Sequence, residues 1–226
     1  MEDRMGTTIT LTAADGHSLS AYTAGPANAV RGVVVVQEIF GVNSHMRAVC
    51  DRLASRGYAV VCPALFDRVE RGVELGYTAQ DIERGRALRG RIADAGPVAD
   101  IEAAAEALPA GARRGIIGFC WGGTIAWWGA TRTNRFAAAS CWYGGGIAAT
   151  RTETPNCPVQ MHFGENDASI PLTDVDAIRE AQKDVEIFVY PKAQHGFGCD
   201  ARASFDPGAA ELAWRRTHAF FDRHLG

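Results

Sequence analysis

Residues 115–124 read Gly115-Ile-Ile-Gly-Phe-Cys-Trp-Gly-Gly-Thr124. An apolar strand pattern runs into Gly-x-Cys-x-Gly-Gly, and an uncharged segment rich in alanine and tryptophan leaves it. A strand that turns sharply into a helix around one reactive side chain has the form of a nucleophile elbow, here with cysteine where serine is usual. Such a turn needs small residues on both sides of the nucleophile. Gly118 and Gly122 let the strand and helix backbones approach, and they tolerate angles that a Cβ forbids. The first helical amides are then aimed at whatever sits beside the thiol of Cys120.

Working outward, Gly32-Val-Val-Val-Val-Gln37 is a continuous β-branched run, as expected for a strand buried on both faces. Tyr58-Ala-Val-Val-Cys62 is the next, stopped by Pro63. Strands are also expected over 136–142, 159–164 and 185–190, and residues 7–12 and 18–23 form a hairpin around Asp15-Gly16. Helices are expected over 44–56 (capped by Asn43 or Ser44), 78–94 (capped by Thr78), 98–108 (entered through Gly96-Pro97), from the elbow to about 132, 171–183 and 209–224. Strands alternating with helices imply a mostly parallel central sheet flanked by helices, an α/β fold. At 226 residues and 47% hydrophobic, the chain is expected to form a single domain over 1–226.

Composition narrows the classes of function. The net charge is −3 with no basic stripe, which argues against nucleic acid. The charged start, Met1-Glu-Asp-Arg, has no apolar run behind it, so no signal peptide is expected. The uncharged stretch from Gly115 to Thr131 is shorter than the ~20 residues a membrane span needs. Six cysteines are scattered without a CxxC pair, which fits a reducing compartment, the cytoplasm.

In a parallel sheet, ligands bind beyond the carboxyl ends of the strands. Four reactive residues fall there: Glu38 after the 32–37 strand, Cys120 after the elbow strand, Asp167 after 159–164 and His195 after 185–190. Each has an ordinary alternative, such as a buried small hydrophobe for the cysteine or a helix cap for the aspartate. Their conjunction is informative, because nucleophile, acid, histidine is the chain order of the α/β-hydrolases.

Gln37-Glu-Ile-Phe-Gly-Val-Asn43, Gly118-x-Cys-x-Gly-Gly123, Gly164-x-x-Asp167 and His195-Gly-Phe197 together resemble the dienelactone hydrolase family. The resemblance implies an α/β-hydrolase fold and a Cys120–His195–Asp167 triad acting on a small lactone or ester. It implies no metal, no organic cofactor and a monomer. The backbone amides of Ile39 and Trp121 are the expected oxyanion donors. Glu38 is expected close to the thiol, where its charge disfavours the thiolate until an anionic substrate rearranges the pair. The resemblance weakens at the substrate carboxylate. The family's arginine four residues after the histidine is Cys199 here. Arg84 and Arg86 lie near the segment that carries the second one, with Arg68 and Arg71 also open, and Tyr143 and Phe197 are expected at the pocket. A carboxylesterase for neutral esters, or a binding protein on the same fold with little turnover, are the competing expectations.

Overall fold

The structure is a computed structural model and describes residues 6–226. The strands are β1 (Thr7–Thr12), β2 (Ser18–Ala24), β3 (Arg31–Val36), β4 (Ala59–Pro63), β5 (Arg113–Phe119), β6 (Ala138–Trp142), β7 (Val159–Gly164) and β8 (Glu186–Tyr190). They form one sheet in the order β1-β2-β4-β3-β5-β6-β7-β8. β1, β2 and β4 pair antiparallel, and every pair from β4 to β8 is parallel. The helices are α1 (Ser44–Ala54), α2 (Ala79–Arg89), α3 (Ala95–Glu106), α4 (Trp121–Arg132), α5 (Leu172–Ala181) and α6 (Pro207–Leu225).

The central parallel strands are largely apolar because both faces are covered. Val33 to Val36 are all fully buried. On β5 the alternation is visible residue by residue: Gly115 lies under Phe221 and Leu225 of α6, while Ile116 lies on the opposite face against Gly129 of α4. From β3 the chain steps outward to β4, then returns to lay β5 along the other side of β3. The carboxyl ends of β3 and β5 therefore flank a topological switch point, where a crevice opens in sheets of this kind.

The expected elements are all present, and two boundaries differ by three residues or more. The helix expected over 78–94 ends at Arg89, where Gly90 caps it. The next helix starts at Ala95, three residues earlier than expected, and takes Gly96 and Pro97 into its first turn. Proline is tolerated there because a first-turn N–H has no helical acceptor. Asn43 caps α1 through its side chain, and Thr78 and Asp81 form a reciprocal capping box on α2. Among the described residues no helix is long and apolar enough to cross a membrane.

Candidate active site

Cys120 joins β5 to α4 with φ 57 and ψ −117, a left-handed conformation for a residue that carries a Cβ. Two glycines make the turn possible. A Cβ on Gly118 would stand 1.8 Å from the Gly122 carbonyl oxygen, and one on Gly122 would stand 2.3 Å from that of Val36. Hydrogen bonds from Cys120 N to Trp142 O and from Gly123 N to Cys120 O, both 3.0 Å, hold the strained residue in place. Gly122→Ala is accordingly expected to destabilise the protein by about 1–3 kcal/mol through overpacking against backbone that cannot yield. Denaturant unfolding checks this, and an unchanged midpoint would contradict it.

His195 Nε2 lies 3.1 Å from Cys120 Sγ, and its Nδ1 lies 2.7 Å from Asp167 Oδ2. Asp167 is buried at 4% exposure, and its Oδ1 accepts from Ser169 N at 2.8 Å, which fixes the carboxylate plane. Burial by itself would lower the His195 pKa. The sulfur charge of Cys120 and the bond to Asp167 outweigh it and push the imidazole up to about 10. The ring thus keeps both of its protons across the neutral range, with Nε2–H facing the sulfur and Nδ1–H facing the carboxylate.

Glu38 is 1% exposed. Its Oε1 accepts from Arg202 Nη1 at 3.4 Å, and its Oε2 is buried with no hydrogen-bond partner among the described residues. The Arg202 guanidinium lies 5.6 Å from the Phe40 ring centroid. Burial acts to lower the Arg202 pKa, and the charges of Glu38 and Cys120 overcome it and raise it. Gly196 makes room for this arginine: its φ is 78, and a Cβ there would meet Arg202 Nη1 at 2.3 Å. Arg202 stands seven residues after the histidine, outside the spacing at which the resemblance places an arginine. A usable signal existed, since Arg202 is the only basic residue between His195 and α6.

These groups open into a cavity of about 300 Å³. Cys120, His195, Arg202 and Phe40 line it, with Ile39 and Trp121 beside the thiol. The amides of Ile39 and Trp121 make no hydrogen bond within the described residues. One wall comes from α2 through Ile82, Arg86 and Arg89, and another from Thr124, Gly145, Gly146 and Ser169. No group of three or more metal-ligating side chains occurs among the described residues.

Several expected pocket residues stand elsewhere. Arg84 points away from the cavity and pairs with Glu70, because the helix turn that carries it to that side carries Arg86 to the other. Tyr143 and Phe197 are fully buried and pack behind the site rather than lining it. The Tyr143 ring meets His195 edge-on at 5.2 Å, and Phe197 stacks on Trp142. Arg68 is engaged by Asp100 and Asp15, and Arg71 by Asp67. Cys199 is buried, and burial and the Glu38 charge push its thiol up to about 11, which leaves it protonated at neutral pH.

Known proteins similar in sequence and in fold identify the family. The model of the dienelactone hydrolase family matches residues 19–225. A Synechocystis protein provisionally named carboxymethylenebutenolidase is 40% identical over 212 residues, covering 85% of this chain and 86% of its own. A protein of the same provisional name from Escherichia coli K12 is 33% identical over 232 residues, covering 93% and 84%. The crystal structure of a provisionally assigned dienelactone hydrolase from Klebsiella pneumoniae matches with TM-score 0.81 at 34% identity, covering 96% of this chain and 99% of that one. Sheet order, elbow and sequence matches over nearly the whole length lead to one conclusion: the chain belongs to the dienelactone hydrolase family and is a carboxylic ester or lactone hydrolase of the α/β-hydrolase fold.

Proposed function

We propose that this enzyme opens an anionic lactone or ester through a thioester formed on Cys120. The observation that carries the reading is the unbroken line from Asp167 through His195 to the Cys120 sulfur at the floor of the cavity. Sγ attacks the carbonyl carbon, and the amides of Ile39 and Trp121 receive the developing oxyanion. As the C–O bond breaks, His195 Nε2 gives its proton to the departing alkoxide, which in a lactone stays tethered to the acyl group. Water then attacks the thioester carbonyl and yields its proton to Nε2, and the thiolate leaves. Asp167 holds Nδ1–H and stabilises the imidazolium throughout.

Arg202 supports the anionic part of the reading. It supplies, three residues further on, a cation in the loop where Cys199 replaces the family's arginine. In the free enzyme that cation is neutralised by Glu38. A substrate carboxylate competes for Arg202 and releases the glutamate, which links substrate charge to the state of the thiol. Acid-quenched mixtures of enzyme and aryl ester, read by peptide mass spectrometry, test the covalent step. Cys120 is expected to carry the mass of the acyl group without the aryl alcohol. Rapid turnover with the label on another residue, or with no label when deacylation is rate-limiting, would defeat the proposal.

A further inference from the structure

α2 presents the cavity with a stripe of side chains. Ile82, Arg86 and Arg89 all line it, at the i, i+4, i+7 spacing that places three residues on one helix face. On the flank of this stripe Gly85 and Leu88 are buried. Gly85 sits so close to the loop after β3 that a Cβ would stand 2.0 Å from the Ile39 carbonyl oxygen. The helix is therefore seated on the segment that carries the Ile39 amide, and its two arginines are held over the opening.

Neither Arg86 nor Arg89 is paired with a carboxylate among the described residues, whereas Arg84 on another face of α2 is held by Glu70. Among the described residues no aspartate or glutamate lines the cavity. Cations in the last turn of a helix complement its dipole. That accounts for basic residues at this end of α2, and it does not account for two guanidiniums on a cavity wall with no counter-charge. The two cationic positions also differ in depth. Arg202 is mostly buried, its side chain 16% exposed, and already neutralised by Glu38. Arg86 and Arg89 are exposed at the rim.

We propose that the substrate is a dianion: a lactone or ester with one carboxylate directed to Arg202 and a second, on the part that remains at the mouth, held by Arg86 and Arg89. This rests on the hydrolytic reading of Cys120 given above. A cavity of about 300 Å³ suits a small acid of this kind. Binding at the rim is solvent-exposed, so each ion pair there adds modestly and is weakened by salt.

The test uses three aryl esters of equal acyl chain length carrying no, one or two carboxylates. They are assayed with the full chain and with the Arg86→Gln/Arg89→Gln double variant at low and high ionic strength. At low salt kcat/KM for the dianion is expected to exceed that for the monoanion by about 10-fold, the sum of two exposed ion pairs. The ratio is expected to shrink with salt and to fall to near unity in the double variant. Equal rates on monoanion and dianion in the wild type would overturn the proposal, as would a preference that survives in the double variant. Cys120→Ala run in parallel separates the two levels. Turnover that persists there sinks the Cys120 mechanism, whereas the dianion ratio is measured on the wild type and judges the arginines alone.

Discussion

Cys120→Ala is expected to reduce kcat/KM for an activated ester by about 10⁴-fold or more, the scale seen when a triad nucleophile is removed. The argument has two parts. The first is chemical: no other described thiol or hydroxyl lies within hydrogen-bond reach of His195 Nε2, whose partner is Cys120 Sγ at 3.1 Å. The second is structural. Alanine keeps the same Cβ at φ 57, so the strain of the elbow is unchanged, and the carbonyls facing Gly118 and Gly122 are undisturbed. The variant should therefore fold with a near-normal circular dichroism spectrum, and its inactivity can be assigned to the missing sulfur. The sulfur charge is also the largest influence raising the His195 pKa. Its removal should bring that pKa down from about 10, visible as an imidazole resonance titrating at lower pH. Activity within tenfold of the wild type would remove Cys120 from the mechanism.

The elbow was legible in the sequence because its constraints are local. Gly118 and Gly122 sit within four residues of each other, and the backbone clashes that require them come from the same turn and the adjacent β3. The β-branched runs were equally plain, since burial on both faces leaves no polar alternation to confuse the reading. Asp167 and His195 fell into place because each follows a strand whose direction the alternation had fixed. The cation in the cavity was harder to find. The position of Arg202 depends on how an irregular loop folds after Gly196, and the linear pattern marks it only as the one basic residue between His195 and α6. Tyr143 misled for a related reason: its φ of 38 turns an aromatic next to the catalytic edge into the protein interior, where it backs His195. Gly85, inside a helix, is the point where α2 meets the Ile39 carbonyl. Long-range approach of one backbone to another leaves only a glycine as its trace.

Asp167→Asn should lower kcat by about 10²–10⁴-fold, somewhat less severe than in serine enzymes because a thiol ionises more readily. The structure specifies how the loss arises. Ser169 N donates to Asp167 Oδ1 at 2.8 Å, so the asparagine must keep its oxygen there. Its NH₂ group is then forced toward His195 Nδ1, where Oδ2 now accepts at 2.7 Å. Two donors cannot face each other, so Nδ1 becomes an acceptor and the ring proton moves to Nε2 with no carboxylate to stabilise a second one. The consequence extends to stability. A histidine whose folded pKa is raised from 6.5 to about 10 contributes stability that is fully present below about pH 6.5 and is lost as pH rises through about 10. The bond to Asp167 is part of that shift. The variant's deficit in unfolding free energy should therefore be greatest near and below neutral pH and should shrink as pH rises toward about 10. Paired unfolding curves across that interval measure it directly. A deficit that is constant with pH, or that widens on the alkaline side, would mean that Asp167 supports the loop and leaves the charge of His195 unaffected.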